Sequence, residues 1–378
     1  MKKIKKTEEI TNLTVNYDFE SMLTDLLQKS LLFDIETTGF SSKSASVYLI
    51  GAAYLEGDAI VIEQFFAETT DESDEEARLL LEFLELARHF DSLITYNGTG
   101  FDIPFLKGRM EKFGIKDWIN CISSKKHVDL YREALSYKHI FHLKNYKQKT
   151  VENFFGIKRK EDAHTGGELI PIYKKYVTQK DDNLLHILLQ HNYEDILGLA
   201  NLLSLHSMDG IWNGGFTPVN CSCSPYRKLD GQTGKECHII CQPNLPSPII
   251  CSCNNAVFYL HISTNEIFLR IPVFEGSLKY FYPNYKDYYY LPEEDMAIHK
   301  SVASFVDKTH RMKANAANCY QKKSGAFLPQ YEERIKPALY KEHNDPVSFF
   351  EWQEEYTSHP GQLKNYCVHI LQTLKQGR

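Results

Sequence analysis

The segment Leu31-Leu32-Phe33-Asp34-Ile35-Glu36 constrains this chain more than any other. It reads as a short buried strand that ends in carboxylates. Residues i and i+2 of a strand point to one face, so Asp34 and Glu36 direct both acids at a single spot. The same spacing recurs in Asp18-Phe19-Glu20 and Asp74-Glu75-Glu76, so setting and not spacing singles out Asp34. Thr37-Thr38-Gly39 follows, a loop able to approach a phosphate closely, with Thr37 as a candidate substrate contact. The competing reading is a solvated strand end.

The elements around this strand alternate. Residues 47–55 and 59–67 are β-rich and separated by Glu56-Gly57-Asp58, a hairpin signal. Residues 75–90 carry leucines at helical spacing, with Asp71, Ser73 and Asp74 as cap candidates. A fourth strand is expected over 92–96, then a loop at Asn97-Gly98-Thr99-Gly100. A helix over 103–113 has Pro104 in its first turn, and a long apolar helix is expected over 181–206. Strands followed by strand–helix alternation predict an α/β or α+β sheet domain. With 378 residues, two domains are expected. The Gly/Pro-rich stretch at 207–218 places the boundary, giving domains 1–209 and 210–378.

Two further acids have settings like that of Asp34. Asp102 stands between a strand and the first turn of a helix, in Phe101-Asp102-Ile103-Pro104. Alone it reads as a helix N-terminal carboxylate stabilised by the macrodipole, at about 0.3–1 kcal/mol. Asp195 stands in the long apolar helix near Ile196, Leu199 and Leu202, where a carboxylate needs a partner or a metal. His191 precedes it by one helical turn and shares its face. A surface His–Asp pair is the alternative. Four carboxylates cannot share one cleft without cations between them, because each raises the others' pKa. An all-oxygen set suits Mg²⁺ or Mn²⁺. Two such ions about 3.5–4 Å apart serve in-line phosphoryl displacement.

Taken together, Asp34-Ile35-Glu36-Thr37-Thr38-Gly39, Tyr96-Asn97-Gly98 with Phe101-Asp102-Ile103-Pro104, and His191-Asn192 with Asp195 resemble the DEDD superfamily of 3′–5′ exonucleases. The resemblance is narrower to its YprB-like, ribonuclease-H-like group and covers residues 28–206, including His127-Val128-Asp129-Leu130 and residues 160–173. It implies a five-stranded mixed sheet flanked by helices, with the first three strands antiparallel. It also implies that Asp34, Glu36, Asp102 and Asp195 hold two Mg²⁺ or Mn²⁺ ions, and that Asn97 and Phe101 hold the terminal nucleotide. Members of the superfamily place a Tyr four residues, or a His five residues, before the last Asp to position the attacking water. Here His191 stands four before Asp195 and Gln190 five, so the imidazole is the candidate water orienter or general base. Tyr193 lies on another helix face, and Asp129 reads as structural.

The second half is expected to be a smaller α+β domain. Strands are predicted at 237–242, 257–261, 266–273 and 278–281, with helices over 293–307 and from Pro346 onward. Cys221-Ser222-Cys223, Cys237 with Cys241, and Cys251-Ser252-Cys253 invite zinc, but none has C-x₂-C spacing, and buried reduced thiols fit as well. The Tyr-rich segment 280–290 could stack on bases or fill a small core. Between 301 and 330, Lys308, Arg311, Lys313, Lys322 and Lys323 face only Asp307. That run is a candidate phosphate-backbone surface or a solvated face.

Charge bears on all of this. The net charge of −6 does not advertise a nucleic-acid partner. Its distribution does not oppose one: residues 1–209 carry 25 basic and 33 acidic side chains, the remainder 18 and 16. No apolar run approaches the roughly 18–20 residues of a membrane span. Lys2 to Lys6 is followed by Thr7-Glu8-Glu9 where a signal peptide would turn apolar, and nine cysteines are an odd number. A cytoplasmic chain with reduced thiols is expected, with no membrane partner. The expected activity is a two-metal 3′–5′ exonuclease acting on a single-stranded 3′ end of RNA or DNA. The alternatives are a non-catalytic nucleic-acid-binding or scaffold protein and a structure-selective endonuclease.

Overall fold

The computed structural model describes residues 1–9, 22–69, 75–160, 164–227, 231, 233–244, 247, 249–353 and 360–378. Asp18 and Glu20, and the cap candidates Asp71, Ser73 and Asp74, lie outside the described residues. The chain divides into two units, one of residues 1–138 with 142–208, the other of 139–141 with 209–378. Among the described residues no helix is long and apolar enough to cross a membrane.

The first unit contains β1 (Lys2–Glu9), α1 (Met22–Gln28), β2 (Ser30–Thr37), β3 (Val47–Glu56), β4 (Ala59–Phe66), α2 (Glu75–Ala87), β5 (Ser92–Thr95) and α3 (Asp102–Lys112). After these come β6 (Lys126–Asp129), α4 (Leu130–Ser136), α5 (Lys138–Phe141), of which residues 139–141 count with the second unit, α6 (Gln148–Phe154), α7 (Gly166–Gln179), α8 (Asp182–Asn201) and α9 (Ser204–Trp212), which runs past the boundary at 208. The sheet order is β1-β4-β3-β2-β5-β6. β2, β3 and β4 are antiparallel, and β5 and β6 join parallel on the far side of β2. Helices flank this mixed α/β sheet, as expected. β2 is therefore internal, and Leu31, Leu32 and Phe33 are fully buried.

The expected five-stranded sheet has a sixth strand. β1 pairs antiparallel with β4 at the edge. Its sequence lacks an apolar run, and its lysines instead meet acids: Lys3 Nζ is 3.0 Å from Glu63 and Lys2 Nζ is 3.3 Å from Glu68. Lysines on an edge strand also discourage pairing with another chain. The long helix expected to reach His206 stops at Asn201. There the Asn201 amide donates to Leu197 O at 2.9 Å and Ser204 Oγ to Asn201 O at 3.2 Å, side chains competing for helical carbonyls.

Two devices set helices against the sheet. Arg109 of α3 donates to both carboxylate oxygens of Glu76 of α2, at 2.7 and 2.6 Å, and Val47 N donates to the same acid at 2.9 Å. Both charged groups are buried, so the bidentate pairing and the backbone bond offset their desolvation. Gly51 of β3 lets α8 come close. A Cβ there would stand 2.1 Å from Asn192 Oδ1 and 2.8 Å from Ile196 Cγ1.

The second unit is mainly antiparallel sheet: β7 (Phe216–Arg227), β8 (Thr233–Pro243), β9 (Cys251–Asn254), β10 (Tyr259–Ile262), β11 (Ile267–Phe281), β12 (Tyr288–Leu291), β13 (Met296–His299), β14 (Met312–Lys313), β15 (Tyr320–Gln330) and β16 (Ser348–Glu351). It also has the one-turn helix α10 (Lys300–Ala303) and the long helix α11 (Pro360–Gln376). Three expectations are corrected here. The strands predicted at 266–273 and 278–281 are one strand, because Glu275-Gly276-Ser277 stays paired with Ala326, Gly325 and Ser324. The helix predicted over 293–307 begins instead as β13, whose backbone bonds to β12 satisfy residues 296–299. The helix predicted from Pro346 is β16 first, hydrogen-bonded to β15, and the helix begins at Pro360. The Tyr366 ring of α11 then packs 4.9 Å from that of Phe350 of β16.

All nine cysteines are free thiols. Cys237, Cys241, Cys251 and Cys253 are buried on β8 and β9. Burial pushes the Cys251 and Cys253 thiols up to about 12.

Candidate active site

The end of β2, the first residue of α3 and the middle of α8 meet beside a cleft of about 550 Å³ in the first unit. Asp34, Glu36, Thr37, Phe101, His191 and Asp195 line it. Asp102 does not line the cleft but is buried beside it, where its Oδ1 accepts a hydrogen bond from Ile35 N, a lining residue, at 3.1 Å. That bond ties the start of α3 to the strand between the two β2 acids. On α8 the one-turn spacing places His191 Nε2 3.1 Å from Asp195 Oδ2 and 3.6 Å from Glu36 Oε1. Ligand atoms of Glu36, His191 and Asp195 all lie within 4.8 Å of one another. Among the described residues, no other His, Cys, Asp or Glu group of three converges this closely.

The cleft is electrostatically divided. Burial, then the charges of Asp102, Asp195 and Glu36, push Asp34 well above the usual carboxylate range. Its Oδ2 accepts a long bond from Asn192 Nδ2, at 3.3 Å, and that amide oxygen is in turn held by Gln64 Nε2 at 2.9 Å. Burial likewise pushes Asp102 up to about 7, against the pull of the Ile35 N–H. For Asp195 burial acts in the same direction, but the His191 hydrogen bond and the Arg159 charge outweigh it and lower its pKa. Arg159 Nη1 lies 2.6 Å from Asp195 Oδ1, while its Nε and Nη2 hold Glu152 at 2.6 and 2.8 Å.

Sequence reasoning missed Arg159. It also missed Lys147, Gln148 and Lys149, and the exposed ring of Phe40, all of which line the cleft. Gln148 Nε2 donates to the Asp195 carbonyl at 2.7 Å, fixing the start of α6 against α8. These residues stand in loops and short helices with no periodic or motif signal. The only hint was the concentration of cations between 144 and 160.

Asn97 is placed differently from expectation. It is not among the residues lining the cleft. It adopts a left-handed backbone (φ 64°), and its N–H donates to Asp129 Oδ1 at 2.8 Å. Asp129 also accepts from Thr99 N and Tyr131 N, so it caps α4 and pins the 97–100 loop. Tyr193 faces β1, bonded to Glu8 with Lys6 over its ring at 4.4 Å.

With this geometry in hand, the relatives are informative. The RNase H superfamily model matches residues 31–206. The uncharacterized protein YprB of Bacillus subtilis (strain 168) is 32% identical over 174 residues, which is 45% of this chain and 40% of that protein. A PolC-type DNA polymerase III of Caldanaerobacter subterraneus subsp. tengcongensis is 29% identical over 150 residues, 34% of this chain and 10% of the polymerase. The chain thus spans well under two thirds of the length of either relative. Among solved structures, the family B DNA polymerase of Pyrobaculum calidifontis aligns with a TM-score of 0.37 at 17% identity, over 49% of this chain and 25% of that one. E. coli exonuclease I in complex with a dT13 oligonucleotide aligns at 0.33 and 10% identity, over 57% of this chain and 55% of that one. The mixed sheet order and the carboxylates gathered at the end of its central strand accompany the match of residues 31–206 to the RNase H superfamily model.

Proposed function

We propose that this chain is a divalent-metal-dependent nuclease that removes nucleotides from a single-stranded 3′ end of RNA or DNA. The observation that carries this reading is the convergence of Asp34, Glu36, Asp102 and Asp195 with His191 beside one open cleft. The donor set fits Mg²⁺ or Mn²⁺. Asp34 is surrounded by other acids, each raising its pKa, and a hard cation at that spot would relieve the repulsion. When bound, such ions neutralise the phosphodiester and polarise it for in-line attack.

The chain's own residues would do the rest. Asp34, Glu36, Asp102 and Asp195 would hold the cations. His191, with Nε2 between Glu36 and Asp195, would orient the attacking water or take its proton. Lys147 and Lys149 on the cleft wall would attract the phosphate backbone, and the Phe40 and Phe101 rings would stack on bases. The RNase H superfamily profile supports hydrolysis of nucleic acid over a purely scaffolding role.

The test is cleavage of end-labelled RNA and DNA oligonucleotides with Mg²⁺ or Mn²⁺, comparing the parent with Asp34→Ala and Asp195→Ala. A ladder shortening from the 3′ end that both variants abolish supports the reading. Internal cuts without laddering would make the chain an endonuclease. No metal-dependent cleavage of any substrate would leave only the binding role.

A further inference from the structure

We propose that the small three-stranded sheet of the second unit carries its own cleft for single-stranded nucleic acid. This inference stands on residues remote in sequence from the catalytic acids and does not rest on the catalytic reading. The sheet has the order β13-β12-β14. Its central strand is Tyr288-Tyr289-Tyr290-Leu291, and alternate residues of a strand face opposite sides. Tyr288 and Tyr290 pack against the buried Ala297, Ala314 and Cys319, and Tyr288 stacks on Tyr282 with ring centroids 4.4 Å apart. Tyr289 faces the other way. The Arg311 guanidinium lies 4.9 Å over its ring, and Lys313 is its cross-strand partner on β14.

Beside Tyr289 lies a cleft of about 660 Å³ walled by Tyr285, Lys286, Tyr289, Lys300, Arg311 and Lys313, with Ser304, Ala314 and the half-buried ring of Tyr288 completing its lining. Among the described residues no carboxylate lines it. The adjacent acid, Asp287, is engaged by Lys300 and by Asn284. Lys286 and Lys313 are exposed and have no acidic partner among the described residues. The basic run between 308 and 323 is thereby sorted: Lys322 and Lys323 are tied to Asp295 and Glu351, whereas Arg311 and Lys313 turn to the cleft. Cations alone would suit any acidic partner. Cations interleaved with accessible rings suit a chain that alternates phosphates with flat bases. Stacking on one ring contributes about 1–3 kcal/mol per base, and each neutralised phosphate steepens the salt dependence.

The experiment uses the full chain carrying Asp34→Asn, without divalent metal, and follows fluorescein-labelled oligodeoxythymidine and oligouridine by anisotropy between 50 and 200 mM salt. Lys286→Glu with Lys313→Glu is expected to weaken binding at least tenfold and to flatten the log–log salt slope by roughly 0.7 per cation removed. Tyr289→Ala should weaken it by roughly 5- to 150-fold, the equivalent of one stacked base, while Tyr289→Phe binds like the parent. Loss with one oligonucleotide alone identifies that nucleic acid as the ligand. Unchanged affinity for both in the doubly substituted protein, with parental circular dichroism and melting, overturns the proposal. So does competition by a polyglutamate peptide as effective as that by the oligonucleotides, which would mark an acidic protein partner. A parent that binds through this cleft and cleaves nothing would sink the catalytic reading and leave this one intact.

Discussion

His191 is the residue on which the proposed chemistry turns. Its Nε2 sits between Glu36 and Asp195, and the neighbouring Tyr193 points to β1. His191→Ala is therefore expected to lower turnover by about 10²–10⁴-fold, the usual worth of a positioned acid–base group, with oligonucleotide affinity retained. Single-turnover cleavage against binding isotherms separates the two. Asp102 behaves oppositely in the metal-free protein. Burial raises it to about 7 from an ordinary 3.8, so between those values the folded state holds a proton that the unfolded state lacks. Its ionisation at neutral pH thus opposes folding, and stability increases as pH falls through 7 towards 3.8. Asp102→Asn should raise the melting temperature of the metal-free chain at pH 7.5, by roughly 2–4 °C for each kcal/mol recovered, and remove that pH gain. Arg159 is the reverse case. Arg159→Ala leaves Glu152, 1% exposed, without its guanidinium, and is expected to cost about 3–5 kcal/mol in urea melts.

Among elements, α8 does most to assemble the cleft. Its seat on β3 depends on the missing side chain of Gly51, which leaves room for Asn192 and Ile196. Gly51→Ala should destabilise the chain by about 1–3 kcal/mol through overpacking. It should also weaken the Asn192–Asp34 contact, so that activity falls further than stability alone explains. Melting curves beside cleavage rates measure both. The strands and helices that carry the site were legible because each has a strong local pattern: the apolar run into Asp34, Pro104 in the first turn of α3, and the leucines of α8. β1 and β13 were not legible. β1 has no apolar run and is held by backbone bonds to β4, distant in sequence, whereas the short Met296-Ala297-Ile298 run of β13 fits a helix as well as a strand and is decided by its pairing with β12.

At the scale of the whole molecule, the net charge of −6 resolves into local arrangements. Acids of the first unit gather where cations would sit, and cations of the second unit line a cleft free of carboxylates among the described residues. Acid stability has a separate signature in the second unit. Burial lowers the pKa of His369, whose Nε2 accepts the Tyr331 N–H at 3.0 Å. The unfolded chain therefore gains a proton first as pH drops below about 6.5, and the folded state loses stability from that point downward. Hydrogen exchange of α11 amides at pH 7.5 and 5.5 should show faster opening at the lower value, and His369→Gln should narrow the difference.

The sequence alone determined the central strand and the helix pairing His191 with Asp195, because strand and helix periodicities are local properties of the backbone. The tertiary structure alone decided which loops close around them. Arg159 reaches Asp195, the Asn97 backbone N–H is taken by Asp129, and the ring of Tyr289 lies under Arg311. Each of those outcomes depends on contacts between segments far apart in the chain, where burial and charge pairing, and not residue spacing, set the direction of a side chain.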